Sequence, residues 1–470
     1  MVSPRCIAWP IAALALAGCA EVGPNYSLPK QALANAPAAN GAFVSGGKAV
    51  VQDEPPDHWW KLYEDPRLDG LIEQALAANT GLRVAEANLE HAQALLAEVR
   101  TGREVDGSVD GQVSRTQPSG EQVLQHVIEK PRFADNVGVG VSYDLDLFGG
   151  IRRGVEAASA DEEASVAARD LVRVNVAAET ARAYADVCNA GHEIAALGRV
   201  LDLQRETVRL TRELIANGRA APLEQDRQVS ALQSARARLP QLKARQRNAA
   251  YRLATLQGRP PEAFDASLLA CAEPLQVHSP LPTGDGQALL KRRPDVRAAE
   301  RRLASATARI GLATAALYPD VKLSASIGST GAAPDFLTPF TNRYAVGPLV
   351  SWNLRQSTTR ARIAGAEADA KARLAGFDGV VLTALRETES ALETYAADLE
   401  RVQGLQAARD SAARAQAQTV ALRKGGRAGG LALVDAERAS ASADQALAGA
   451  ETDISNDQIA VFLALGGGWS

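Results

Sequence analysis

The sequence predicts a mixed α/β membrane protein built from two copies of one unit. Each copy carries a long antiparallel coiled-coil hairpin and two transmembrane strands. Three observations lead there. Leu82-Arg83-Val84-Ala85-Glu86-Ala87-Asn88-Leu89 is matched, 214 residues further on, by Val296-Arg297-Ala298-Ala299-Glu300-Arg301-Arg302-Leu303. No proline interrupts the 90 residues between Pro131 and Pro222, or the 122 after Pro348, and proline-free stretches permit very long helices. Four segments alternate apolar and polar residues with period two, the pattern of a strand with one buried face.

Composition sets the bounds. Of 470 residues, 46% are apolar and 23% charged, which excludes a wholly disordered chain. The net charge of −4 gives no basic excess for nucleic acid. Only 4% of residues are aromatic; with so much Ala, the helices should meet along narrow, Ala-lined seams.

The elements follow in chain order. Thirteen residues from Cys6 to Gly18, behind Arg5, have the size of a signal-peptide core; no apolar run reaches the 18 or more a membrane helix needs. The run ends Leu16-Ala17-Gly18-Cys19, which resembles the bacterial lipoprotein signal. That resemblance implies cleavage before Cys19 and a lipid on its sulfur, with no other cofactor expected. Ala20 after the cysteine favours the outer membrane. Val105 to Val113, Val137 to Leu147, Val321 to Ile327 and Tyr344 to Leu354 are the alternating runs. Eight of the 21 aromatics (Phe133, Tyr143, Phe148, Tyr318, Phe336, Phe340, Tyr344, Trp352) bunch around them, as in the girdles of outer-membrane barrels. The helical stretch from Val155 to Ile215 would extend about 90 Å. It stops at Asn217-Gly218, and a partner helix runs from Leu223 to Gln257 with a kink expected at Pro240. The second copy gives Ala361 to Arg423, a Gly-rich turn, and Leu431 to Leu465. Helices this long need antiparallel neighbours to bury their stripes. Four strands cannot close a barrel, since bacterial barrels have at least eight and an open edge is excluded from lipid. Several chains must therefore share one barrel; two would give eight strands and three would give twelve.

Particular motifs name a family. They are Val22-Gly23-Pro24-Asn25-Tyr26, Trp59-Trp60-Lys61-Leu62-Tyr63-Glu64-Asp65-Pro66, Tyr143-Asp144-Leu145-Asp146-Leu147-Phe148-Gly149, Arg292-Arg293-Pro294-Asp295, and Leu433-Val434-Asp435-Ala436-Glu437-Arg438. In this order the chain resembles the outer membrane efflux proteins, the TolC-like channels, and most closely their lipid-anchored OprM and NodT type. The resemblance implies a homotrimer with a twelve-stranded β-barrel above a trimeric periplasmic α-barrel. It also implies outer-membrane lipid around the strands, a periplasmic adaptor (membrane fusion) protein, and an inner-membrane pump of the resistance-nodulation-division type. The chain divides into a signal peptide (1–18), an N-terminal anchor and equatorial segment (19–80), repeat 1 (81–258, strands near 105–115 and 136–148), an inter-repeat equatorial segment (259–290), repeat 2 (291–465, strands near 319–329 and 343–354) and a tail (466–470). One departure is Arg355-Gln356-Ser357-Thr358-Thr359-Arg360, where the family carries a Gly-rich turn; the exit from the fourth strand is expected to differ.

Leu431, Asp435 and Arg438 share one helix face at i, i+4 and i+7. By resemblance that face lines a closed periplasmic aperture. Three copies would place rings of Leu, Asp and Arg there, with Asp–Arg pairs between neighbours as a latch. Apolar constrictions gate by dewetting, and carboxylate rings favour cations. The tips at Asn217, Gly218, Lys424 and Gly425 would meet the adaptor, although turn chemistry alone also accounts for their glycines. Lys291, Arg292, Arg293, Arg297, Arg301 and Arg302 read as a solvated helix start, with Pro294 and Asp295 suited to the first turn. After processing, Cys188 and Cys271 are the only cysteines able to form a disulfide. The favoured reading is two separate small apolar fillers.

No enzyme is expected. His58, His91, His126, His192 and His278 show no paired-ligand spacing. Gly138-Val139-Gly140 lacks the third glycine of a dinucleotide loop, and no methionine beyond Met1 could form a thioether copper relay. Two other readings are a lipid-anchored periplasmic coiled-coil adaptor or tether without a pore, and a substrate-selective porin. The latter leaves the long helices unexplained.

Overall fold

The computed structural model describes residues 21–117, 119, 121, 126–128, 130–332, 335 and 337–467. The expected signal peptide, the lipidation site Cys19, Phe336 of the aromatic group and the end of the tail lie outside the described residues. Eight principal helices are α1 (Pro66–Ala78), α2 (Thr80–Thr101), α3 (Gly150–Ala216), α4 (Pro222–Leu256), α5 (Gly286–Arg292), α6 (Pro294–Ala315), α7 (Gln356–Lys424) and α8 (Gly430–Ala464). The strands are β1 (Val50–Val51), β2 (Asp106–Thr116), β3 (Arg132–Asp144), β4 (Leu281–Pro282), β5 (Asp320–Ala332) and β6 (Asn342–Ser351). The residues group into two compact units. Among the described residues, one comprises those of 21–29, Leu89–Ala164 and Ala299–Phe377; the other comprises Lys30–Asn88, Ser165–Ala298 and 378–467. Each repeat thus divides its residues between both units.

The first unit holds an antiparallel sheet in the order β2-β3-β5-β6. The register places Asp106, Ser108, Asp110 and Gln112 on the same face as Asn136 to Asp144 of β3 and Lys322 to Thr330 of β5, counted in steps of two. The opposite face carries Val109, Val113, Val137, Val139, Val141, Leu323, Ile327, Tyr344 and Val346. It is left open: Val109 is 79% exposed, Val346 75% and Ile327 66%. β3 stops at Asp144 although the alternation continues to Leu147. Asp146 takes a left-handed φ of 42°. Its carboxylate accepts from the N–H groups of Ile151 (2.8 Å) and Arg152 (3.0 Å), capping α3. Gly149, at φ 76°, completes the turn. At the other exit Asn353 Oδ1 accepts from Arg355 N at 3.0 Å and α7 starts at Gln356. Residues 356–360, where the resemblance implies a Gly-rich turn, are helix here.

The motif at residues 22–26 packs in this unit through Arg153, whose side chain is 2% exposed. Its guanidinium donates to Val22 O (3.0 Å), Gly23 O (3.2 Å), Asn25 Oδ1 (2.7 Å) and Glu156 (2.6 Å). Gly23 is required twice over. Its φ is 88°, and a Cβ there would stand 2.4 Å from Gly311 Cα; only glycine tolerates both.

The second unit is built on small residues. Ala177, Ala178, Ala181, Ala183 and Ala185 of α3 are buried against Trp59, Tyr63, Leu68, Ile72, Leu253 and Phe462. Trp59 stacks on Phe462 with ring centroids 4.8 Å apart. The Trp59 to Pro66 motif acts as a helix start. Glu64 turns the chain at φ 53°. Asp65 accepts from the N–H groups of Arg67 and Leu68 and from Tyr184 Oη at 2.9 Å, and Pro66 opens α1. α4 continues through Pro240 without a break.

Two expectations are corrected here. Cys188 and Cys271 are bonded, with Cα atoms 4.7 Å apart, because the segment after α4 returns across the middle of α3. The basic run at the start of α6 is solvated only in part: Lys291 and Arg302 are exposed, but Arg293 is not. Arg293 is 7% exposed and donates to Ala464 O at 2.8 Å, Asp295 at 2.7 Å and Glu387 at 2.9 Å, supplying a donor to the C-terminal carbonyls of α8. Arg297 faces Asp170 at 3.6 Å. Arg301 pairs with Glu163 at 3.0 Å and lies over the ring of Tyr26.

Candidate functional site

The features that bear on function lie at the sheet and near the hairpin turns. In the sheet, β2 and β6 are the outer strands and, among the described residues, each is paired on one side only. An unpaired ladder beside an exposed apolar face is unstable in water and excluded from lipid until another strand covers it.

Leu431, Asp435 and Arg438 occupy the first turns of α8. Leu431 is 45% exposed and Asp435 is also exposed. Arg438 is half-buried and turns toward its own chain. Its Nη2 donates to Gln204 Oε1 of α3 at 3.0 Å and to Gln228 Oε1 of α4. Its Nε is buried with no partner among the described residues. The fold therefore presents Leu431 and Asp435 outward, while Arg438 ties the second hairpin to the first. Sequence reasoning missed the two glutamines. The available signal was a polar residue in a buried stripe, since Gln228 is only 6% exposed. Next to Arg438 in the chain, burial lifts the Glu437 carboxyl above its ordinary range; Arg423 opposes the shift and Glu206 adds to it.

Asn217, Gly218, Lys424 and Gly425 are all exposed, and both turns have the same construction. Gly218 has φ 65° and Gly426 has φ 69°. Arg219 N donates to Leu214 O and Arg427 N to Leu422 O, each at 2.8 Å, the Schellman arrangement. The left-handed residue of the second turn is thus Gly426, not Gly425. α4 and α8 each have 35 residues. Aligning their starts at Pro222 and Gly430 places Val434, not Asp435, opposite Asp226. The backbone requirement for φ > 0 at Gly218 and Gly426 sets this register.

Comparison with known proteins agrees with this architecture. The model of the family described as "Outer membrane efflux protein" matches residues 71–259 and 286–467. Nodulation protein T of Rhizobium leguminosarum bv. trifolii is 26% identical over 98% of this chain and 97% of its own length. The toluene efflux pump outer membrane protein TtgC of Pseudomonas putida is 28% identical over 98% and 94%. Among solved structures, the outer-membrane channel OprN superposes with a TM-score of 0.85 at 34% identity, covering 95% of this chain and 99% of that one.

Proposed function

Given that the chain belongs to the outer membrane efflux protein family, we propose that it works as a lipid-anchored homotrimeric exit duct docked to a periplasmic adaptor and an inner-membrane pump of the resistance-nodulation-division type. Its place as an outer-membrane channel of an efflux pump, with helices extending into the periplasm, follows from the family and from its structural relatives. Members of the family are channels, not enzymes. The observation that carries the proposal is the four-stranded sheet with one open apolar face and two half-paired edge strands. Three such sheets joined edge to edge make a closed twelve-stranded wall with the apolar face toward lipid.

In this reading Cys19 carries the lipid, and small organic solutes pass without chemical change while the pump supplies the energy. Leu431 and Asp435 form rings at the periplasmic aperture, and Arg438 holds each second hairpin in place. The latch between neighbouring Asp435 and Arg438 then competes with the bonds from Arg438 to Gln204 and Gln228. Opening moves the second hairpin away from the first. The tips around Asn217, Gly218, Lys424 and Gly425 contact the adaptor.

Planar-bilayer conductance of the lipidated protein beside Asp435→Ala/Arg438→Ala tests this. Small steps from the parent and large, cation-preferring steps from the variant are expected. Equal large steps from both keep the channel and remove the gate. No steps from either, with insertion verified, would leave a periplasmic tether without a pore.

A further inference from the structure

One rung of the sheet has a construction the rest lacks. Asp110 of β2 is registered with Gly138 of β3, Gly138 with Gly328 of β5, and Gly328 with Arg343 of β6. The rung reads Asp-Gly-Gly-Arg across the polar face, with opposite charges on the two outer strands and no side chain between them. The Arg343 side chain lies over both glycines. Its Nη2 donates to Asn136 Oδ1 at 2.9 Å and stands 3.5 Å from Asp110 Oδ2, and its Nε donates to Thr330 Oγ1 at 2.9 Å. Thr330 Oγ1 donates to Asn136 Oδ1 at 2.7 Å, and Asn136 Nδ2 to Asp110 Oδ2 at 2.7 Å. A Cβ on Gly138 would stand 2.8 Å from Arg343 Nη2; one on Gly328 would stand 3.2 Å from Arg343 Cζ and 2.4 Å from Val137 O. Both glycines keep the path of the guanidinium clear.

The surroundings make this pair matter. Toward the ends of the same face lie Asp106, Lys322 between Asp144 and Asp320, and Arg132. Between them the face is Ser, Gly, Ala, Asn, Thr, Gln and Leu349; among the described residues, Asp110 and Arg343 are its only charged groups. Neither is sealed away, with side chains 54% and 40% exposed.

We propose that Arg343, laid across Gly328 and Gly138 to Asp110, sets the charge selectivity of the barrel lumen for small ions and charged solutes, apart from any periplasmic aperture. The proposal rests on the trimeric channel reading, in which the polar face lines the lumen and three copies form a ring at one level. Charged rings of this kind select by sign, and a pore wall of low dielectric concentrates their field. Arg343 offsets Asp110; without it the middle of the wall carries an uncompensated carboxylate.

The test is the reversal potential across a potassium chloride gradient, measured in the Asp435→Ala/Arg438→Ala background. Low salt keeps screening weak, the Debye length being about 10 Å at 0.1 M. Arg343→Gln should move the reversal potential toward the cation limit, and Asp110→Asn toward the anion limit. In Arg343→Cys, a cationic thiol reagent should bring the value back toward that of the background protein and an anionic one should not. Loss of assembly in Arg343→Gln leaves the result to Asp110→Asn, which retains the glycine track and the guanidinium. Persistent steps with one unchanged reversal potential in every variant that inserts would overturn the proposal and leave the channel reading standing. The absence of steps from every protein, with insertion verified, would overturn both.

Discussion

Asp457 sits half-buried on α8 near Asp398 of α7 and Asp453 of α8, and its Oδ2 is buried with no partner among the described residues. Arg401 is already engaged by Asp398 at 3.3 Å and Asp453 at 2.7 Å. Burial first, then a hydrogen bond with Asp398 and the negative charges of Asp398 and Asp453, push the Asp457 carboxyl up to about 7. The unfolded chain releases that proton near pH 4, so between about pH 4 and about pH 7 the folded state holds a proton the unfolded state has lost. Stability contributed here is present at low pH, declines as pH rises through that window, and is flat above it. Thermal midpoints of the detergent-solubilised protein at about pH 5 and about pH 8 should fall with rising pH, and Asp457→Asn should flatten the fall. An identical slope in the variant would place the titration elsewhere. Nothing in the sequence marks Asp457, because its partner Asp398 comes from another helix.

At the scale of elements, the segment following α4 is fastened to α3 at several points. Besides the Cys188–Cys271 bond, a Cβ on Gly191 would stand 1.9 Å from Cys271 O, so backbone lies directly on the helix there. His192 Nδ1 lies 3.1 Å from Ala272 O, and Gln246 Nε2 donates to Leu269 O at 3.1 Å. The disulfide spans a sequence separation of 83 residues; disulfides typically contribute about 2–4 kcal/mol, chiefly through the unfolded chain, and long loops lie at the upper end of that range or above it. Cys188→Ala/Cys271→Ala should therefore lower the thermal midpoint, and reductant should lower it in the parent but not in the variant. A parent midpoint unmoved by verified reduction would show that the non-covalent contacts suffice. The helices and strands were legible because their signals are local: period-two alternation at Val137 to Tyr143, no proline from Arg132 to Ala221, an N-cap and proline at Asp65-Pro66. The disulfide, the burial of Arg293 and the clearance at Gly23 were not. Each depends on which distant backbone comes to rest against it. The second turn is a like case, since Gly425 and Gly426 are the same letter and only the folded backbone makes Gly426 the one with φ > 0.

At the scale of the whole molecule, the unfinished feature is the sheet edge. Among the described strands, β2 and β6 each lack one neighbour, and Val109 and Val346 on those strands are 79% and 75% exposed. A lone chain has no stable place in a bilayer, because each unpaired backbone group costs several kcal/mol in hydrocarbon. Alternation in the sequence was enough to argue for an oligomer. The number of chains was not, since the strand pattern of one chain is compatible with any closed count of eight or more; three came from family resemblance. Native mass measurement of the detergent-extracted protein decides the point. Three chains per particle are expected, resistant to dissociation until heated, since separating them exposes six strand edges at once. A stable two-chain particle would require an eight-stranded barrel and place two copies of the Asp110–Arg343 rung around it instead of three. A monomer that persists under the mildest extraction, yet inserts into vesicles, would mean that the edges are covered from within the chain and that the sheet is not one third of a shared wall.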